Sequence, residues 1–347
     1  SDIGYWSFKQ MPKLTLSFIS AFNERVEPLM NGTIKAEGIE LIPTYSHPAE
    51  TFWRQLKFGE FEVAEMSMSS YLIAKSQGSD MIALPVFPSR RLFQTEISYH
   101  VDSGVIEPGD LAGKRLGVAE YQQTAALWIR GILEHDFGVS QFKVHWYMER
   151  SEEMSHGGAT GFKPPAGISF NRIAPNKSLA STLLDHELDA AHIASPWVLR
   201  ANALDRSSRH TGSATDWSKI KPLFPDRLAE AARFQKQHEF LPVNHTYIIR
   251  GDIYEKHPWV AFNLYNGFVR AKALARENLV ENIPSALFFG PEYLNRTEEI
   301  IGEDPFPYGI KANEAMLETI TAYSYEQGLT PKQMNFKELF AESTLDL

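Results

Sequence analysis

Asp110 to Thr124 reads DLAGKRLGVAEYQQT. A polar turn leads into a short apolar strand, Arg115 to Ala119, and a helix opens near Gln122 or Thr124. A strand that runs into a helix leaves the first backbone N–H groups unpaired and places the positive end of the helix dipole beside the strand end, so such a junction suits an anion. The same arrangement recurs at Glu62 to Tyr71, EVAEMSMSSY, where a strand meets a serine-rich helix start. Two such junctions point to two lobes that close on a small anion, a carboxylate above all. The alternative is a pair of the ordinary strand–helix junctions that every α/β protein contains.

Outward from these stretches the pattern alternates. Strands are expected over 14–19, 39–45, 63–66 and 81–87, with helices over 24–30, 48–58 and 70–77 between them. The segment 92–101 is strand-like with no helix before the next strand, which suits a crossover into a second lobe. That lobe is expected to hold strand 115–119, helix 123–137, strands 143–146 and 167–173, helix 179–186 and strand 190–193. The polar stretch Asp205 to Ser218 reads as a surface loop and 224–237 as a helix. Pro242 to Ile249, PVNHTYII, reads as the return crossover, and helices follow over 257–279, 284–288, 293–301 and 314–327. Residues 1–12, with Tyr5, Trp6 and Phe8, form an irregular lead-in. An α/β lobe, an inserted α/β lobe and a helical return make lobe I of residues 1–96 with 246–347 and lobe II of 97–245. Ligands in such folds sit in the cleft, against strand ends and helix starts.

Composition sets limits. The 347 residues suffice for two α/β lobes, and 43% hydrophobic with 22% charged residues is ordinary for a globular chain. A net charge of −9 lacks the basic stripe that nucleic acid demands. No run approaches the roughly 18 apolar residues of a membrane span. The absence of cysteine removes disulfides, thiolate metal sites and cysteine nucleophiles together. His186-Glu187 and His192 do not form H-E-x-x-H, which needs both histidines on one helical face, so no metal is expected.

Six segments carry a resemblance: FEVAEMSMSSYLIAKSQG (61–78), IALPVFPSRRLF (82–93), PGDLAGKRLGVAEYQQTAALWIRGIL (108–133), SHGGATGF (155–162), LDAAHIASP (188–196) and DPFPYGIKANEAMLETITAYSYEQGLTP (304–331). In this order they resemble the 4,5-dihydroxyphthalate decarboxylase family, whose fold is that of the type II periplasmic binding proteins. The resemblance implies an α/β, two-lobed type II periplasmic-binding-protein-like fold with mixed sheets flanked by helices and a ligand cleft between lobes. It also implies cofactor-free loss of CO2 from a hydroxylated aromatic acid. The family's Asp-rich motif after the first strand is replaced here by Ala21-Phe22-Asn23-Glu24-Arg25.

Candidate residues follow. His192 and His245 lie on segments expected to border the cleft, and histidine carries protons near neutral pH; the alternative for each is a hydrogen-bonded structural histidine. Glu120, at the end of strand 115–119, would orient a histidine or accept a phenolic proton, or else is a surface glutamate. Ser67, Ser69 and Ser70 stand where a helix cap is wanted and would donate hydroxyls to a ligand. Tyr121, Gln122 and Thr124 stand at the second junction, with Thr124 as a cap and oxyanion ligand. His156, beside Gly157-Gly158, sits on a loop that would fold over the cleft as a lid. The resemblance tips Arg90 towards a carboxylate contact, whereas Arg91 reads as solvated.

The leading expectation is non-oxidative decarboxylation of 4,5-dihydroxyphthalate to 3,4-dihydroxybenzoate by a cytoplasmic protein without cofactor or metal. Its partner is a small aromatic carboxylate, with a homo-oligomer allowed. The alternative is a periplasmic solute-binding protein that feeds an aromatic carboxylate to an ABC importer. A leader peptide would favour that alternative.

Overall fold

The computed structural model describes residues 13–193 and 216–347. The lead-in with Tyr5, Trp6 and Phe8 and the part of the polar stretch from Asp205 to residue 215 lie outside the described residues. The chain runs β1 (Leu14–Ser20), α1 (Glu27–Met30), β2 (Ile39–Tyr45), α2 (Pro48–Phe58), β3 (Val63–Ser67), α3 (Met68–Ser76), β4 (Ile82–Leu84) and β5 (Ile97–His100). It continues with β6 (Arg115–Val118), α4 (Thr124–Phe137), β7 (His145–Met148), α5 (His156–Thr160), β8 (Ser169–Arg172), α6 (Leu179–Leu184), β9 (Ala190–His192), β10 (Ile220–Pro222) and α7 (Arg227–His238). It closes with β11 (His245–Ile249), α8 (Gly251–Lys256), α9 (Trp259–Ala286), α10 (Gly290–Ile301), α11 (Glu314–Glu326) and α12 (Phe336–Leu339).

Two mixed sheets result, ordered β2-β1-β3-β11-β4 and β10-β5-β9-β6-β7-β8. Each holds one strand antiparallel to its neighbours. In the first it is β11, placed between β3 and β4; in the second it is β5, placed between β10 and β9. The chain therefore leaves the first sheet after β4 and re-enters it at β11. In each sheet the N-terminal end of the antiparallel strand lies among the C-terminal ends of the parallel ones, so both ends contribute side chains to one edge.

Period-two alternation decides which side chains meet. Leu16 and Phe18 of β1 and Tyr247 and Ile249 of β11 face α9, whose Val260, Leu264 and Phe268 complete that core. Ile19, Ala64, Met66 and Ile248 turn to the opposite face and join one core with Leu116, Val118, Trp146 and Ala190 of the second sheet. Helix α4 is apolar over most of its circumference because it is packed on all sides, with Ala125 to Leu133 buried. Helix α11 lies against both α3 and α4 and ties the C-terminal segment to both sheets. Among the described residues no helix is long and apolar enough to cross a membrane.

Several expectations are corrected. Residues 92–101 are a 3₁₀ turn, Phe93–Glu96, and only then a strand. The expected break near residue 280 is absent: α9 runs on through Pro284 to Ala286 and ends within one turn of the proline, which forgoes one helical N–H bond. His156 begins a short helix instead of a lid loop. Ser155 caps that helix by accepting from the Gly158 N–H, and His156 is buried.

Candidate active site

Strand β3 carries Glu65 in an otherwise apolar, fully buried run, Val63–Ser67. A buried carboxylate needs donors. Oε1 meets Nδ1 of His245 at 2.6 Å, and Oε2 accepts from the Ala21 N–H at 2.9 Å and the Ser20 hydroxyl at 3.2 Å. Ser20 Oγ lies 2.7 Å from the Tyr247 hydroxyl. Burial opposes ionisation of Glu65, but the His245 charge and these hydrogen bonds outweigh it and hold its carboxyl below the ordinary range. Burial, with Glu65 beside it, pushes the Tyr247 phenol well above its usual value.

Register explains the pairing. His245 opens β11 directly opposite Ser67, the last residue of β3. Its ring packs edge-on against Phe52 at 4.8 Å, and Phe52 meets the His156 ring at 5.5 Å on another side. One phenyl group thus separates two histidines.

His156 belongs to a second carboxylate cluster. Glu120 is buried, is paired with Arg150, and accepts from the backbone N–H groups of His156 at 3.1 Å and Gly157 at 3.2 Å and from the Gln122 amide. Burial again opposes ionisation, and Arg150 and His156 reverse it, so the Glu120 pKa is lowered. His156 Nε2 lies 3.2 Å from the Ala49 carbonyl and Nδ1 4.0 Å from Glu120. A Cβ on Gly157 would stand 2.7 Å from the Gln122 amide nitrogen, and one on Gly158 2.1 Å from the Glu152 carbonyl oxygen. The two glycines are required by this close approach, not by a flexible lid.

The two strand–helix junctions meet each other. Ser69 N–H of α3 donates to Thr124 Oγ1 at 3.0 Å, Ser67 Oγ lies 2.9 Å from the same oxygen, and Ser69 Oγ donates to the Gln122 carbonyl. Ser67 makes no cap for its own helix, and neither does Gln123 for α4. Thr124 of α4 thereby satisfies one N–H at the start of α3. Ser67, Ser69, Glu120, Gln122, Thr124, His156 and His245 thereby fall into one connected region.

Four candidates have their contacts outside this hydrogen-bond network. Ser70 is buried with no partner for its hydroxyl. Tyr121 turns into the second sheet, donates to Gln141 and carries the Arg130 guanidinium 3.6 Å above its ring. Arg90 gives its terminal nitrogens to the carbonyls of Leu241 (3.0 Å) and Pro307 (2.9 Å) and to Asn313, and Nε alone is without a partner. Burial lowers its pKa to about 10. His192 closes β9, with Nε2 2.9 Å from Glu96, which also accepts from Arg91 Nε at 2.6 Å. Burial opposes ionisation of Glu96, but His192 and then Arg91 lower its pKa. Arg91, read from sequence as solvated, is half-exposed yet paired.

Sequence reasoning missed Glu65, Glu96, Arg150 and Phe52. The first had a signal, a lone acid inside the apolar run VAEMS; the other three had none. The Ala21–Arg25 segment, where the Asp-rich motif is replaced, grips the next loop: Asn23 and Arg25 donate to the Pro88 carbonyl, and Arg25 packs 3.6 Å over Phe306. Among the described residues no group of three or more His, Cys, Asp or Glu side chains is arranged to hold a metal ion.

No family model matches the chain. It is 29% identical over 339 residues to a 4,5-dihydroxyphthalate decarboxylase from Comamonas testosteroni, spanning 97% of this chain and 99% of the relative. It is 36% identical over 181 residues to a 4,5-dihydroxyphthalate decarboxylase from Pseudomonas putida, spanning 52% of this chain and 70% of that one. Among solved structures, the periplasmic aliphatic sulphonate binding protein SsuA from Escherichia coli superposes with a TM-score of 0.52 at 14% identity, over 95% of this chain and 92% of its own. A desulfurization enzyme, DszB, superposes with a TM-score of 0.53 at 14% identity, over 96% and 98%. These likenesses establish the fold: it is that of the periplasmic binding proteins.

Proposed function

Because the chain belongs to the 4,5-dihydroxyphthalate decarboxylase family, a family of carboxy-lyases, we propose that it converts 4,5-dihydroxyphthalate to 3,4-dihydroxybenzoate and CO2 without a cofactor. The observation that carries the mechanism is a His–Glu pair on each sheet where the antiparallel strand meets a parallel one, His245–Glu65 on the first and His192–Glu96 on the second.

Direct departure of CO2 would leave an aryl carbanion. A hydroxyl para to the leaving carboxylate offers a detour. Removing the phenolic proton drives an electron pair towards the carbon that bears the carboxylate. An acid protonates that carbon, and the C–C bond electrons return to the ring as CO2 leaves. The net change is one proton taken up for one CO2 released. The step needs a proton donor at the ring carbon and an acceptor at the phenol, each worth about 10²–10⁴-fold.

We assign His245 as the donor, because Glu65 has His245 as its charged partner. We assign His192 as the phenolic acceptor, because Arg91 already opposes the charge of Glu96. Glu120, committed to Arg150 and two N–H groups, positions His156 and the turn around it. The hydroxyls of Ser67, Ser69 and Thr124 and the two helix starts they bridge would receive the leaving carboxylate, which should not be held too tightly, since ground-state stabilisation opposes its loss. Lobes of residues 1–96 with 246–347 and of 97–245 would close on the ring, and the setting is cytoplasmic.

Solute binding for an importer is the other reading. The fold does not choose, since both a sulphonate-binding protein and a desulfurization enzyme carry it; the sequence relatives favour catalysis. The test is incubation of the metal-stripped protein with 4,5-dihydroxyphthalate. Release of CO2 and 3,4-dihydroxybenzoate in equal amounts is expected. Tight binding with neither product would favour transport.

A further inference from the structure

Beyond the His–Glu pairs, a cavity of about 220 Å³ opens at the C-terminal ends of β6, β7 and β8, between the turn after β6 and the segment around α5. Its apolar walls include Tyr121, Phe162 and Phe170. Its polar lining includes Arg150, Lys163 and Arg172. The volume is of the order of one substituted aromatic ring.

The charges in this cavity are not equivalent. Arg150 is buried and its charge is matched by Glu120. Arg172 spends one nitrogen on the Arg150 carbonyl at 2.7 Å, a neutral partner, and Glu153, outside the lining, is an acid within its electrostatic reach. Lys163 has no hydrogen bond or ion pair among the described residues. Against these two cations the lining sets Glu152, the acid besides Glu120. The cavity thus offers positive charge in excess, next to three aromatic rings. Gln122, held in place by the close approach of Gly157, gives an amide to the same wall.

We infer that this cavity, joined to the helix starts through Gln122, which accepts from Ser69, receives the retained-carboxylate side of the substrate ring, and that Lys163 and Arg172 are specificity-determining residues that select that carboxylate. The inference rests on the decarboxylase reading for its ligand class. It adds an anchor for the carboxylate that is kept, separate from the hydroxyl-lined helix starts proposed for the one that leaves. Both cations reach solvent, so their replacement spares the core.

The test compares phthalate, which has no hydroxyl and cannot react, with benzoate, by calorimetric titration of the full chain and its Lys163→Ala/Arg172→Ala double variant. Unchanged melting temperature and far-ultraviolet dichroism establish that the variant is folded; if it is not, the single variants Lys163→Gln and Arg172→Gln replace it. Loss of charge-assisted contacts should raise the phthalate dissociation constant at least about tenfold, with a much smaller change for benzoate and a matching rise in KM for 4,5-dihydroxyphthalate. Equal phthalate affinity in both proteins, or no phthalate binding by the unaltered protein, overturns the inference. The two readings fail separately. Selective loss of phthalate binding in a protein that never releases CO2 keeps the anchor and discards the decarboxylase; CO2 release with an unchanged KM in the variant does the reverse.

Discussion

The two sheets each place a histidine against a glutamate where the antiparallel strand meets a parallel one, yet the pairs differ. Glu65 and Glu96 are both buried, and His245 and His192 are both only slightly exposed. The second oxygen of Glu65 is held by neutral donors, Ala21 N–H and the Ser20 hydroxyl. Glu96 is shared with Arg91. A carboxylate out of water requires donors or a compensating charge; Glu65 has His245 as its ring partner, while Glu96 also meets the permanent charge of Arg91. In the proposed mechanism the same two residue types on equivalent edges take different duties, and the neighbour that separates them is one arginine.

The sharpest way to break this comparison is to neutralise each carboxylate. Glu65→Gln should cost roughly 10²–10⁴ in turnover, the usual worth of a positioned proton carrier, while substrate affinity falls far less. Glu96→Gln should cost less, because Arg91 and the strand pairing keep His192 in place. Equal losses in the two variants, read from initial rates of CO2 release, would erase the distinction.

Glu120 supplies the contrast of a carboxylate paired with a fixed cation. Glu120→Ala should break the buried Glu120–Arg150 pair and destabilise the fold by about 3–5 kcal/mol, the usual cost of breaking a buried pair. Chemical denaturation measures it. A variant as stable as the parent would mean that the cluster does not hold the turn.

Smaller and shared by all three is a dependence on pH. The pKa values of Glu65, Glu96 and Glu120 are lowered in the folded chain. The unfolded chain therefore binds more protons in the acid range. The stabilisation is complete above the unfolded carboxylate value of about 4.3 and is lost as pH falls through the lower folded values. Melting temperatures between about pH 6 and pH 3 should fall, and in Glu65→Gln the slope should be shallower. A parallel slope would show that Glu65 titrates normally.

The legible part of this molecule was its alternation. Strand 39–45 and helix 48–58 are found where apolar spacing, Pro48 and Gly59 place them. The unequal part was the site. His245, Ser67, Ser69, Thr124 and Glu120 announce themselves by standing at strand ends and helix starts, where backbone direction alone brings them to one edge. Arg90 stands at such an end too, but its destination is set by the Leu241 and Pro307 carbonyls, far along the chain. Glycine at 157 and 158 reads as mobility in sequence; only the proximity of Gln122 and the Glu152 carbonyl shows it to be crowding. Pairings such as Glu96 with His192 depend on strand order, which the local pattern does not contain.

The most direct test of the central claim is the pH–rate profile of CO2 release from 4,5-dihydroxyphthalate by His245→Gln and His192→Gln, measured side by side at saturating substrate. If His192 takes the phenolic proton, its variant should regain rate as pH rises towards phenol ionisation near about 10. If His245 gives the proton to the ring carbon, its variant should remain inactive across the whole range. Turnover by His245→Gln at the rate of the unaltered protein would contradict the account.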